Sequence, residues 1–109
     1  MAEMGNQVNT RNPDIALIRN VAEHIQKLDG AKINAPALST IFHVHPSVIR
    51  TCIGIARKMG IPICSCPKGY FYSTEREKIQ RTIDHIERRI AVQRESIEGL
   101  RRILTNETV

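Results

Sequence analysis

Apolar side chains recur at alternating steps of four and three along residues 79–104: Ile79, Ile83, Ile86, Ile90, Ile97, Leu100 and Leu104, with Gln93 in the one polar place. A period of 3.5 residues keeps a stripe turned toward a partner helix, so the segment predicts a coiled-coil seam with Ile83 at position a. Thr74 and Glu77 stand at capping-box spacing, and the helix is expected over 74–105. A helix that long cannot bury its whole stripe against the small domain left by the rest of the chain. The stripe therefore predicts self-association, a homodimer first. The competing arrangement is a helix folded back over the first helix of the chain. A parallel pair sets Arg89 at g against Arg94 at e of its partner, which is unfavourable, whereas an antiparallel pair brings Glu87 near Arg101. Ile at both a and d leaves room for higher oligomers.

The residues before this helix divide at glycines, prolines and caps. Residues 1–11 are polar and aperiodic and read as a flexible tail. Asn12 suits a helix cap, Pro13 the first helical position, and Asp14 the helix dipole. Ile18, Val21, Ala22, Ile25 and Leu28 then recur at helical spacing up to Gly30, so helix one is expected over 13–29. "AKIN" is long enough for a single ladder contact. Asn34 caps a second helix, with Pro36 in its first turn and Leu38, Ile41 and Phe42 expected inside. The chain turns at "HVH", with Val44 or His45 at the boundary. "PSVIRTCIGIARKMG" then runs as a third helix to Gly60, with Val48, Ile49, Cys52, Ile53 and Ala56 inward. Two short helices across a three- or four-residue turn form a helix-turn-helix. "IPICS" and "YFYS" read as strands around a "PKG" turn, Pro62 confining the first to an edge or a strand start. One aromatic of Tyr70, Phe71 and Tyr72 is expected to pack inward. The domain division is thus 1–11 tail, 12–73 globular domain, 74–105 oligomerisation helix and 106–109 tail. The expected fold class is mainly α with a small β-hairpin.

The charge distribution narrows the partners. The chain carries a net charge of +5, and residues 30–74 hold no Asp or Glu. The same span carries Lys32, Arg50, Arg57, Lys58 and Lys68, with His43 and His45. A stretch with only cationic side chains is the footprint of a phosphate-binding surface.

The segment "KINAPALSTIFHVHPSVIRTCIGIARKMGIPICSCPKGYFYS" resembles the winged helix-turn-helix of the biotin-operon-repressor type. That family carries a short "G-[IV]-x-[IV]" strand, matched by "GIPI" at 60–63, and an "x-K-G-Y-x-[LIV]" wing strand, matched by "KGYFY" at 68–72. The resemblance covers residues 15–73; the ligase domain of that family has no counterpart here. Short chains that join a winged helix to a helical tail are similar to small phage and bacterial regulators. Pro46 departs from the pattern, since many relatives carry an exposed polar residue there.

In such a fold the outward residues of the third helix are Ser47, Arg50, Thr51, Gly54, Arg57 and Lys58. Ser47, Arg50 and Thr51 lie near the helix N-terminus, where this motif enters a major groove. Arg50 suits bidentate donation to a guanine edge, and Arg57 and Lys58 suit phosphates. Gly54 permits close approach at a helix-propensity cost. Lys68 and Gly69 form the wing tip, Tyr70 is a phosphate contact if it faces outward, and His45 either caps a helix or touches a phosphate. The expected partners are double-stranded DNA and a second copy of the chain, in a transcriptional regulator. A viral DNA-packaging or replication subunit, or a protein-interaction adaptor that binds no nucleic acid, are the alternatives.

Other chemistry finds little support. Cys64-x-Cys66 puts both thiols on one strand face, the wrong spacing for a zinc knuckle, even with Cys52, His43 and His45 nearby in sequence. No thiolate-stabilising motif accompanies them. No phosphate loop, paired carboxylates or nucleophile motif suggests an enzyme, and no cofactor is implied. Three cysteines, no signal peptide and no membrane-length apolar run point to the cytoplasm.

Overall fold

The computed structural model describes residues 13–107; the expected tail 1–11, Asn12 and the last two residues lie outside them. The described elements are α1 (Ile15–Lys27), α2 (Ala35–Phe42), α3 (Pro46–Lys58), β1 (Ile63–Cys66), β2 (Gly69–Tyr72) and α4 (Arg76–Glu107). They fall into two units, the first ending at Ile79 and the second beginning at Gln80. None of these helices is long and apolar enough to cross a membrane.

α1 begins two residues later than Pro13 suggested. Asp14 is extended and acts as the cap itself, its Oδ1 accepting from the Leu17 N–H at 2.9 Å. That satisfies one of the donors every helix start leaves open. The helix also stops early, because Asp29 (φ 53°) already enters the left-handed region ahead of Gly30. Asn34 caps α2 as expected, accepting from Ala37 N–H at 2.8 Å. Ala35 and Leu38 are buried there and Phe42 is half-buried, but Ile41 is 45% exposed, against expectation. Ile41 stands one residue, roughly 100° of rotation, from Phe42, so an eight-residue helix that turns Ala35, Leu38 and Phe42 inward carries it out of the core. His43 (φ 57°) closes α2, and the chain re-enters helix at Pro46 after a three-residue turn.

The five residues expected inside α3, Val48, Ile49, Cys52, Ile53 and Ala56, are all buried. α3 packs against both α1 and α2. Ile25, Leu38 and Ile49 are completely enclosed, each contributing roughly 1.5–3 kcal/mol by leaving water. Phe42 meets His24 of α1 edge to face at 5.7 Å. The core is aliphatic and small, as a chain with 4% aromatic residues requires.

β1 and β2 pair antiparallel from Ile63↔Tyr72 to Cys66↔Gly69, around a turn at Pro67 and Lys68. Pro62 lies just before β1, where its missing N–H is harmless, and its carbonyl accepts from Ser73 N–H. Phe71 is the inward aromatic, while Tyr70 and Tyr72 are half-buried against the core. The "AKIN" segment makes its single ladder contact: Ile33 and Tyr70 exchange N–H···O bonds of 3.0 and 2.8 Å. This bridge fixes the hairpin beside the start of α2.

α4 begins at Arg76 rather than Thr74, so the capping-box spacing is out of phase. The Glu75 carbonyl accepts the first helical N–H groups, from Lys78 and Ile79, and Ser73 Oγ accepts from Glu75 N–H at 3.1 Å. The helix runs on to Glu107, past the expected end at 105. Along it Ile83, Ile90, Ile97, Leu100 and Leu104 are between 42% and 63% exposed. Ile79 and Ile86 are half-buried and Gln93 is exposed.

Candidate nucleic-acid interface

Core packing decides which side of α3 faces out. With Ile49, Cys52, Ile53 and Ala56 turned inward, Ser47, Arg50, Gly54 and Lys58 follow one another at steps of three and four on the opposite side, with Thr51 one turn after Ser47. Ser47, Arg50 and Lys58 are exposed; Thr51 and Gly54 are half-buried. The first turn holds no acidic residue, so nothing offsets the partial positive charge of the helix start.

The side chains at that start are already oriented. His45 is the N-cap: its Nδ1 accepts from Ser47 N–H at 3.0 Å and lies 2.9 Å from Ser47 Oγ. A ring nitrogen that accepts from a backbone amide carries no proton, so in the neutral ring Nε2 holds the hydrogen and is the outward donor. Thr51 Oγ1 donates back to the Ser47 carbonyl at 3.1 Å. Arg50 extends from the same turn.

Gly54 sits in mid-helix, where glycine costs about 1 kcal/mol relative to alanine. Nothing among the described residues accounts for it. Its φ is ordinary, and a Cβ built there meets no atom within 4 Å. Gly69 is the opposite case. Its φ is 137°, and a Cβ would stand 2.6 Å from the Ile33 carbonyl oxygen. The fold itself demands this glycine, because the bridge to Ile33 brings two backbones together.

Two residues expected on the binding face hold the hairpin instead. Arg57 is part-buried, and its Nε donates to the Ile63 carbonyl at 2.7 Å. Its guanidinium also lies over the Tyr70 ring, 5.9 Å from the centroid. Tyr70 is therefore an internal partner on its ring face, not a freely outward phenol. Lys58 remains exposed, as does Lys68 at the hairpin turn. Lys32 lies over the Phe71 ring at 5.1 Å, a contact that sequence reasoning missed. Its signal was weak: a lysine in the short segment that pairs with the hairpin.

The cysteines are free thiols. Cys52 is fully buried, and desolvation, with the charge of Asp14 adding to it, pushes its thiol up to about 11. It behaves as a packing residue, since a neutral buried thiol is a poor nucleophile. Cys64 is buried opposite Phe71, and Cys66 is partly exposed opposite Gly69. Among the described residues no three His, Cys, Asp or Glu side chains are grouped so as to hold a metal ion.

No family model, no curated protein and no solved structure matches this chain significantly.

Proposed function

We propose that the chain is a winged helix-turn-helix protein that reads double-stranded DNA as a homo-oligomer and acts as a transcriptional regulator. α2 and α3 form the helix-turn-helix, α3 is the recognition helix, the β1–β2 hairpin is the wing, and α4 joins the copies. Gly54 carries this reading: the outward, acid-free face of α3 includes a half-buried, helix-weakening residue that packing among the described residues does not require. A glycine there lets a surface from outside approach the helix backbone. Arg50 lies one turn and Ser47 two turns before it, at a helix start free of acids, and Lys58 one turn after it. In this arrangement Arg50 reads a base edge, with the Nε2–H of His45 as a second donor. Lys58 and Lys68 contact phosphates and set orientation.

Gly54→Ala is the variant that separates fold from function. It is expected to raise stability by up to about 1 kcal/mol, read by denaturant unfolding, while weakening duplex binding. Undiminished binding would remove the close approach from the proposal. Selection of bound sequences from a random duplex pool supplies the site for the companion test. Arg50→Ala is expected to relax preference at one base pair, costing about 1–3 kcal/mol there. Lys68→Ala is expected to weaken all sequences alike and to lower the salt dependence by about one unit of slope. Equal, sequence-blind effects of the two would withdraw base reading from Arg50. No duplex binding even at low salt would favour a protein-interaction adaptor.

A further inference from the structure

The charges beside the apolar stripe of α4 determine how a second copy fits against it. We propose that two copies of α4 pair antiparallel, with Ile83 of one opposite Leu100 of the other. The inference rests on the self-association read above and adds its direction and register. In an antiparallel pair each a position meets a d position, while e meets e and g meets g along the flanks. Setting Ile83 on Leu100 also sets Ile97 on Ile86, Leu104 on Ile79 and Ile90 on Gln93, so every place in the stripe is used. At the flanks Glu87 then meets Arg94, twice by symmetry. Gln80 meets Arg101 and Arg89 meets Ser96, while Thr82, buried already in the single chain, takes no part in the flank. No like charges face each other.

The parallel pair and the two neighbouring antiparallel registers are worse. Sliding by one heptad in one direction pairs Glu87 with Arg101 but opposes Arg94 to itself. Sliding the other way opposes Glu87 to Glu87 and Arg89 to Arg89. The parallel pair opposes Arg89 to Arg94 on both flanks. The contacts within the helix agree with the chosen register. Arg101 is already held by Glu98 of its own helix at 3.3 Å, and Arg89 lies 3.2 Å from His85. Glu87 and Arg94 are exposed. The two Ile79 residues then lie at opposite ends of the paired helices, about 38 Å apart along the axis.

Arg94→Glu in the full chain distinguishes the directions by sign. In the proposed register it turns two attractions into two repulsions, and the dimer dissociation constant from analytical ultracentrifugation is expected to rise tenfold or more, roughly. Adding Glu87→Arg to the same chain restores the pairs and is expected to restore the dimer. In a parallel pair Arg94→Glu relieves repulsion, so tighter association overturns the proposal, as does an unchanged constant. A second measurement is independent of the charges. A spin label on Asn106→Cys, with the partly exposed Cys66 changed to serine, is expected to sit about 40 Å from its counterpart. A separation below about 20 Å, the scale of two adjacent helices, overturns the proposal. A wild-type chain that stays monomeric at all concentrations instead removes the self-association beneath it.

Discussion

Gly69→Ala is expected to destabilise the fold by about 3 kcal/mol or more, read as a shift of the midpoint in denaturant unfolding. Two effects add. A backbone held at φ 137° is open to glycine and strained for other residues, which costs on the order of 1–3 kcal/mol. The new Cβ would also collide with the Ile33 carbonyl, with oxygen and carbon at 2.6 and 2.7 Å. Both obstacles are backbone atoms, so no rotamer change relieves the contact. The strand must move away, and the two Ile33–Tyr70 hydrogen bonds stretch or break. The expected signature is loss of stability together with increased amide exchange at Ile33 and Tyr70. An alanine variant of unchanged stability would show that the hairpin is not pinned at this point. The contrast with Gly54 is informative, because the same substitution is expected to stabilise there.

The second large effect is at Ile90, which is 46% exposed in the single chain and lies near the middle of the stripe. Ile90→Lys is expected to convert the proposed oligomer to monomer in sedimentation or light scattering. In a dimer each copy loses the burial of an isoleucine, worth roughly 1.5–3 kcal/mol, and must desolvate an ammonium group in the seam. These losses occur twice per dimer, enough to weaken association by several orders of magnitude. The globular unit is expected to keep its own unfolding transition, because Ile90 lies outside it. An oligomer that survives the substitution would mean that the stripe serves some other contact.

Much of this architecture was legible because each element carries more than one local signal. α3 combines a proline at its first position, five inward apolar residues at helical spacing and a glycine past its end, so its core face was read without error. Asn34 and the "AKIN" contact were equally readable, since a cap and a one-residue bridge are short-range matters. The errors occurred where neighbouring residues competed for one job. Asn12, Pro13 and Asp14 all suit a helix start, and Asp14 takes the cap. Thr74 has the capping spacing, yet Ser73 and Glu75 organise the turn. Ile41 shares helical spacing with Leu38 and Phe42, yet the buried side is set by Ala35 and Leu38 with Phe42, and Ile41 falls outside it. Of the candidate site, the outward face of α3 followed from its periodicity. The part played by Arg57 did not, because an arginine at a helix end reads alike whether it meets a phosphate or a carbonyl six residues on. Only tertiary placement beside Ile63 distinguishes the two.

That placement of Arg57 bears on how the proposed binding surface would meet a duplex. One side chain joins the last turn of α3 to the hairpin through the Ile63 carbonyl and the Tyr70 ring, and the Ile33 bridge secures the same hairpin from its other edge. Helix and hairpin are thereby locked in one fixed angle before any encounter. For the duplex binding proposed above, little conformational freedom would be left to surrender on docking, and the fixed spacing between the groups on α3 and the lysine at the hairpin tip would act as a built-in gauge for groove width.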